Sequence, residues 1–434
     1  MERFHEPPTM PSKKIGQGVS VSEKEVHPTY EAFEHTQIGD STRLHLRSGS
    51  VSGSDFEYEC VGGTKLSYGE IIALAGDFYG DPSEAIVESP NPHSWRKQFT
   101  SNVESLLQDT DKYLSKITSA LRSQQQTIRD GTKRGVDPAT TATLNDAKWT
   151  TQYTLATRGM YLRLAWSNYD HFGQEAVHAY ETGHSLALTI AASAGRASPP
   201  NIEQLRQAYA YEAFAAHFLT DLFSAGHLRT PRRLLSGGLW TNFLSKDMHD
   251  EEDRDGLRVV NGESEEWMVY GDKHLNSKKG EENLRRVGDA VQASADEVFA
   301  AFNQEWSALD LDYQSAEAGP GRRRYRALTL APDLKQLADP YDTANPAPLY
   351  AVHLTKDNRW ELTRRVSVAD RSDYRRVVVG MFFGPGADFV VSLPLHFGVG
   401  WSLSRMVMHG PVKQEISGEG EKEQENEKED YVKV

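Results

Sequence analysis

The feature that most constrains the fold is a spaced triplet of polar residues inside an apolar helical pattern at residues 212–233. His217, Asp221 and His227 follow one another as H-x3-D-x5-H. Residues four apart lie on one face of a helix, so His217 and Asp221 present an imidazole and a carboxylate side by side. These two groups can bind one metal ion, and the third member favours a metal site over a packed core histidine.

The helix is expected to end near Gly226, because glycine is a poor helix former and Pro231 cannot continue a helix. His227 then lies at a turn, from which its ring can face the same ion or a neighbouring one. Three arginines follow. They are candidates for binding phosphate oxygens through forked hydrogen bonds, with pairing at the helix end as the alternative: Arg229, Arg232 and Arg233.

Length and charge restrict the class of protein. A chain of 434 residues can bury a full hydrophobic core in one large domain or in two to three smaller ones. A net charge of −14 argues against a protein that coats nucleic acid. The single cysteine, Cys60, excludes an internal disulfide and a cysteine-based zinc cluster.

The first residues have no apolar signal region, and no apolar run is long enough for a transmembrane helix. We therefore expect a cytoplasmic or peripheral membrane protein without a transmembrane segment.

Apolar periodicity predicts a mainly α fold, a helical bundle with a smaller β-containing C-terminal region. Four segments are expected: a disordered N-terminal segment 1–30, a helical domain 31–318, a β-rich or extended region 319–412, and a disordered acidic tail 413–434.

Within the helical domain, a short helix should start at Ser67 and break at Gly76, and Asn201 with Gln204 should cap the central helix. Residues 31–63 look irregular. Apolar stripes predict four longer helices, at 98–130, from Trp149 to near Asn168, from Asp170 to about Ala194, and from Glu281 to Trp306. Short Val- and Phe-rich runs predict strands or extended segments at 324–334, 349–355, 360–368, 375–384 and 388–403.

Further acids and histidines are candidate ligands. Asp77 follows a helix-breaking glycine, where it is either a turn-forming cap or an acid placed in a pocket. His171 lies at the first turn of a predicted helix and is favoured as a ligand, whereas His178 and His184 are expected to pack or to support ligands.

His249 and Asp253 repeat the spacing of four in an acidic stretch, where a solvated loop is the alternative.

Three strings carry a family resemblance: AHFLTDLFSAGHLRTPR at the triplet, ALAGDFYG before it, and NYDHFG between them. They resemble the zinc metallophospholipase C family of bacteria and fungi, in a superfamily that includes single-strand-specific zinc nucleases. The resemblance covers residues 64 to about 310. It implies a helical bundle with a zinc cluster, in which two or three zinc ions occupy a cleft.

The resemblance also implies a ligand set. It implies that His217 and Asp221 bind the first ions and that His227 binds another. The other implied ligands are the early acidic residue Asp77, the histidine before the main motif, His171, and the later pair of the nuclease branch, His249 and Asp253. Ligand histidines need acceptors for their other ring nitrogens, and the nearby acids for this role are Asp170, Glu175 and Glu212.

Two departures from the family stand out. Family members bind zinc through a mature N-terminal tryptophan, which this chain does not present, and His35 is the candidate substitute. The segment from about residue 321 has no counterpart in the small secreted enzymes.

The expected activity is hydrolysis of phosphatidylcholine-like phospholipids to diacylglycerol and a phosphorylated head group, with Asp77 orienting or deprotonating the attacking water. A single-strand-specific nuclease is the first alternative, disfavoured by the net charge. An inactive metal-stabilised binding protein is the second.

The substrate of such an enzyme lies in a bilayer. Residues 388–403 form an apolar stretch that ends near Trp401, and they either cover the bundle as an edge segment or dock on lipid.

Overall fold

The computed structural model describes residues 32–110, 112–233, 239–271, 273–306, 325–337, 350–354 and 360–364. These residues form a mainly helical protein, as the periodicity predicted. The predicted N-terminal segment 1–30, the extended runs 375–384 and 388–403 with their docking role, and the acidic tail 413–434 lie outside the described residues.

The described helices are, in chain order, α1 Ala32–Ser41, α2 Tyr68–Leu74, α3 Pro92–Leu107, α4 Lys112–Lys133, α5 Pro138–Ala156, α6 Met160–Ser167, α7 Gly173–Arg196, α8 Ile202–Asp221, α9 Ala225–Arg229, α10 Leu239–Asp255, α11 Glu281–Phe302, α12 Arg326–Leu330 and α13 Leu334–Leu337. A single 3₁₀ turn, Tyr169–His171, precedes α7. None of these helices is long and apolar enough to cross a bilayer.

The described strands form four separate antiparallel hairpins: β1 Arg43–Leu46 with β2 Gly49–Ser52, β3 Tyr58–Glu59 with β4 Lys65–Leu66, β5 Leu257–Val260 with β6 Glu266–Val269, and β7 Tyr350–Leu354 with β8 Trp360–Arg364. The last hairpin confirms the two strands that were expected at 349–355 and 360–368.

Helix α8 is the centre of the bundle, with α7, α11, α2 and α1 packed around it. Every residue from Ala208 to Asp221 is buried. A helix that is buried on all sides must be apolar on all sides, and its alanines and phenylalanines meet this requirement. The polar side chains of His217 and Asp221 are therefore enclosed in the protein interior, where each needs a partner.

The predicted helix starts are confirmed. The Ser67 hydroxyl accepts the Glu70 N–H and the Glu70 carboxylate accepts the Ser67 N–H, which completes a capping box for α2. The Asn201 side chain accepts the Gln204 N–H at the start of α8.

Helix α8 ends at Asp221, not near Gly226 as expected. The N–H groups of residues 222–224 bond to carbonyls three residues back, and this tight turn leads into α9. Gly226 and His227 consequently lie inside α9 and not at its end.

Four further expectations were wrong. The single helix expected at 98–130 is two helices, since α3 ends at Leu107 and α4 begins at Lys112. Residues 32–63 are not irregular, since they include α1 and the three strands β1, β2 and β3. The single helix expected from Trp149 to Asn168 is broken at Arg158 and Gly159, which both have positive φ. Residues 326–330 of the expected strand at 324–334 are helical and pack on α11.

Candidate metal centre

The centre is assembled from four elements that meet around the C-terminal end of α8. Helix α8 supplies His217 and Asp221, and α1 supplies His35. The 3₁₀ turn supplies His171, and the turn after α2 supplies Asp77. Residues far apart in the chain are therefore brought together, and the hydrogen bond between His35 and Thr220 spans 185 positions.

Asp221 is fully buried and lies among four imidazole rings. One carboxylate oxygen is 2.9 Å from His171 Nδ1 and 3.5 Å from His217 Nε2. The other is 3.3 Å from His227 Nδ1 and 3.8 Å from His35 Nε2. Neither oxygen has a well-aligned hydrogen bond among the described residues. A buried carboxylate in this position requires positive charge to compensate for its loss of water.

The tautomers of two of these histidines follow from their neighbours. The single hydroxyl proton of Thr220 is donated to the His217 carbonyl at 2.7 Å, so His35 Nδ1 must donate its proton to Thr220 Oγ1 at 2.8 Å. His217 Nδ1 donates to the carbonyl of Ile72 at 2.9 Å. In the neutral rings both Nε2 atoms therefore carry lone pairs. That of His35 faces the Asp221 carboxylate, and that of His217 lies 3.1 Å from His171 Nδ1 and 3.5 Å from Asp221.

The pKa shifts agree with these tautomers. Burial lowers the pKa of His35 well below its ordinary value and lowers that of His217 to about 3, so both rings are neutral. Burial also acts to lower the pKa of His171, but the adjacent Asp221 carboxylate outweighs it and raises the pKa to about 9. Burial would raise the pKa of Asp221, yet the surrounding histidines hold it well below its usual range.

The residues form two sets of three potential ligands. Within each set, the potential ligand atoms all lie within 4.8 Å of one another. One set contains His35, His217 and Asp221, and the other contains Asp77, His171 and His217. The sets share His217, so two neighbouring ions would be held by one continuous group of side chains. Imidazole nitrogens and carboxylate oxygens without cysteine suit zinc and other divalent transition metals. The donor set fits such an ion. The imidazole lone pairs and the Asp221 carboxylate repel one another, and a cation between them would be bound by both.

Gly76 allows the rings to approach the chain closely. Its φ is +66°, which favours glycine, and a Cβ atom here would lie 2.6 Å from His171 Nε2 and 3.0 Å from His217 Nε2. The helix-breaking glycine therefore leaves space beside two ligand nitrogens and turns the chain toward Asp77.

A second group of candidate ligands adjoins the first. The rings of His227 and His249 have centroids 5.0 Å apart, and His249 Nδ1 is 3.2 Å from Asp253. Asp253 is held by the start of α9, because it accepts hydrogen bonds from Ser224 Oγ at 3.1 Å and from the Gly226 N–H at 2.5 Å. The pair lies in α10 and is buried, so the alternative of a solvated acidic loop is wrong.

The three arginines after the triplet have partners within the protein. Arg229 pairs with the buried Glu252. Arg232 donates to the carbonyls of Ala165 and Trp166 at 2.9 and 2.8 Å, where it caps the end of α6. Arg233 donates to the carbonyls at positions 87 and 88. These contacts give all three arginines a structural role within the protein. Phosphate binding by these arginines stays a prediction.

The expected acceptors for ligand histidines are only partly in place. Asp170 is buried, and its Oδ1 lies 4.0 Å from His171 Nε2. Glu175 lies 3.8 Å from Arg233, and Glu212 binds His184 at 2.6 Å, so both are used elsewhere. The acceptors that orient His35 and His217 are instead Thr220 and the carbonyl of Ile72. Sequence reasoning missed both, because a backbone carbonyl or a nearby threonine carries no spacing signal.

A small cavity of about 20 Å³, room for a single water molecule, lies beside the centre. Its lining includes His171 and Gly76 on the inside, Leu164 of α6 along one wall, and the exposed Glu84. His171 is a candidate ligand that lines this cavity.

No family model matches the chain, and neither does a curated protein or a solved structure. The likeness to zinc phospholipases C therefore remains a resemblance, and the functional conclusion depends on the geometry of the His/Asp centre.

Proposed function

We propose that this protein is a zinc-dependent phosphodiester hydrolase of the phospholipase C type. Its substrate class would be phosphatidylcholine-like phospholipids, cleaved to diacylglycerol and a phosphorylated head group. One observation carries the proposal: His35 Nε2 and His217 Nε2, which carry lone pairs, lie 3.8 and 3.5 Å from the buried carboxylate of Asp221. Such an arrangement is stabilised by a cation.

Zinc at this position would supply a water that is acidic enough to act as a nucleophile near neutral pH and would polarise a phosphoryl oxygen. The side chains that would hold it are His35, His217 and Asp221 in one set, with Asp77 and His171 in the adjoining set.

The protein residues have separate tasks. Thr220 and the Ile72 carbonyl hold the ligand rings in the correct tautomer. Asp77 is less buried than its neighbours His171 and His217, so its carboxylate is our candidate for orienting or deprotonating water. The buried aromatic and alanine side chains of α8 exclude bulk water, which strengthens every electrostatic interaction in the centre.

A single-strand-specific nuclease is the second candidate. The observation in its favour is that His249 and Asp253 lie beside His227, as the resemblance to the nuclease branch implies. The net charge of −14 opposes it, because binding to a phosphate backbone requires a basic surface. An inactive metal-binding protein would keep the centre and release neither product.

One assay separates the three candidates. Purified full-length protein is given phosphatidylcholine vesicles, a soluble short-chain phosphatidylcholine, or single-stranded DNA. We expect diacylglycerol release from the lipids, no nucleotide release, and loss of activity on chelation. Nucleotide release without diacylglycerol would establish the nuclease, and the absence of both products would overturn the enzymatic proposal.

The variants His217→Ala and Asp221→Asn should each lower diacylglycerol release by more than about a hundredfold, because each removes a metal ligand. His178→Ala is the matched control. His178 is a half-exposed histidine of α7 outside the centre, so this variant should keep near-normal turnover. Normal turnover in His217→Ala would show that the triplet is structural.

A further inference from the structure

Helix α6 is apolar on both of its faces. Of its eight residues, MYLRLAWS, only Arg163 and Ser167 are polar. A helix that is apolar all round is normally buried in a core or a membrane. Among the residues of α6, however, only Leu164 is buried.

The inner face of α6 has a packing role. Tyr161 stacks on Phe78, with ring centroids 5.2 Å apart, and contacts Tyr153. Leu164 lines the same cavity as His171. The inner face therefore forms one wall of the small cavity beside His171.

The outer face has no such role. Leu162 and Trp166 are each 49% exposed. They are four residues apart, so they lie side by side on the same face of the helix. Large apolar side chains grouped on a surface mark a binding site more often than single ones do. They belong to the same short helix as Leu164, which lines the cavity beside His171.

Charge indicates the partner. The stretch from residue 157 to 169 contains Arg158 and Arg163 and no acidic residue, although the whole chain carries a net charge of −14. Both arginines are exposed. A tryptophan and a leucine flanked by arginines combine an apolar insertion with groups that bind phosphate oxygens, and this combination suits the interface of a phospholipid bilayer.

We propose that the outer face of α6, formed by Leu162 and Trp166 with Arg158 and Arg163, is the surface by which the protein docks on a phospholipid bilayer. Docking at this face would hold the bilayer against the helix whose Leu164 lines the cavity beside His171. This inference rests on the proposed phospholipase function, whose substrate lies in a bilayer, but it concerns binding and is measured separately from hydrolysis.

The test is co-sedimentation of the full-length protein with vesicles on ice. The vesicles consist of phosphatidylcholine alone or with phosphatidylserine added. The double variant Leu162→Ser/Trp166→Ser should bind both kinds of vesicle roughly tenfold or more weakly, since two apolar anchors are lost. Arg163→Gln should weaken binding to the anionic vesicles about fivefold and affect the neutral vesicles less.

Leu144→Ser is the matched control. Leu144 is 76% exposed in the first half of α5, so the variant removes an equally apolar surface side chain away from α6. It should bind vesicles as the unchanged protein does. The double variant should also hydrolyse the soluble short-chain lipid at the normal rate, which shows that its fold and its centre are intact.

Equal vesicle binding by the double variant and the control would overturn the docking proposal, whatever the hydrolysis results. A change of oligomeric state in the double variant, with vesicle binding unchanged, would also overturn it and identify the face as a contact between two copies. Weakened docking in a protein that hydrolyses no lipid would uphold the docking surface and reject the phospholipase function.

Discussion

At the scale of single residues, the candidate centre depends on groups that are not themselves candidate ligands. Thr220 and the Ile72 carbonyl each fix the proton on one ring nitrogen, so that the other nitrogen can act as a ligand. Gly76 has no side chain, and this leaves room for the rings of His171 and His217.

Gly76→Ala should therefore damage the centre. The new methyl group would lie 2.6 Å from His171 Nε2, so a ring must move away from its ligand position. We expect reduced metal content and reduced lipid hydrolysis in a protein that still folds, measured by elemental analysis and by the diacylglycerol assay.

Gly135→Ala is the control for backbone strain. Gly135 also has positive φ, +77°, but a Cβ atom there would meet nothing within 4 Å. Both variants carry a strain of about 1 kcal/mol from the left-handed conformation. If Gly76→Ala keeps full metal content while Gly135→Ala is equally destabilised, the space beside His171 has no function.

The residues that spacing predicted and those it missed differ in a physical way. His217 and Asp221 were predictable because their proximity follows from the helical repeat alone. The proximity of His35 to them depends on tertiary packing, and the family resemblance, not periodicity, made it a candidate. The roles of Thr220 and Gly76 follow only from contacts across the fold, which no local pattern encodes.

At the scale of elements, α1 shows why a helix can escape prediction. Its sequence, AFEHTQIGDS, has no apolar stripe, yet most of it is buried. It packs closely on α2, where a Cβ atom on Gly39 would lie 2.5 Å from the Gly69 backbone. This close packing brings His35 to the end of α8, and it depends on a partner helix outside the local sequence.

A second buried cluster of ionisable side chains connects three helices. His184 of α7 lies 2.6 Å from Glu212 of α8 and 3.1 Å from Glu297 of α11, through its two ring nitrogens. Ser294 also donates to Glu212. Burial acts to lower the pKa of His184, but the two carboxylates outweigh it and raise the pKa to about 10. The packing role expected for His184 is thus that of a buried cation.

This cluster predicts how stability depends on pH. The pKa of His184 is raised from 6.5 to about 10 in the folded protein. Its contribution, on the order of a few kcal/mol, is therefore fully present below about pH 6.5 and is lost as the pH rises through 10. We expect the difference in unfolding free energy between the unchanged protein and His184→Gln to shrink steadily from pH 6.5 to pH 10, as measured by urea unfolding.

At neutral pH, His184→Gln should cost on the order of 3 kcal/mol, because it leaves two buried carboxylates without their cation. His178→Gln, in the same helix but half exposed, should change the unfolding free energy little. A pH-independent difference for His184→Gln would show that the ring is neutral in the folded protein.

At the scale of the whole molecule, the helical class followed from composition and periodicity, since long amphipathic stripes leave little choice of structure. The arrangement of the helices did not follow. The candidate centre joins α1, the turn after α2, α8 and the turn before α7, with α9 and α10 beside them. Each of these contacts depends on packing between elements that are separate in the sequence. The centre also reaches beyond the stretch that resembles the phospholipases, because His35 precedes residue 64.

The central claim is that this buried centre binds metal, and the metal content of the purified full-length protein tests it most directly. Elemental analysis should find two or more zinc ions per chain. His217 belongs to both ligand sets, so His217→Ala should lose at least one ion, whereas His178→Ala should lose none. Less than one metal ion per chain in the unchanged protein, or full content in His217→Ala, would contradict the account.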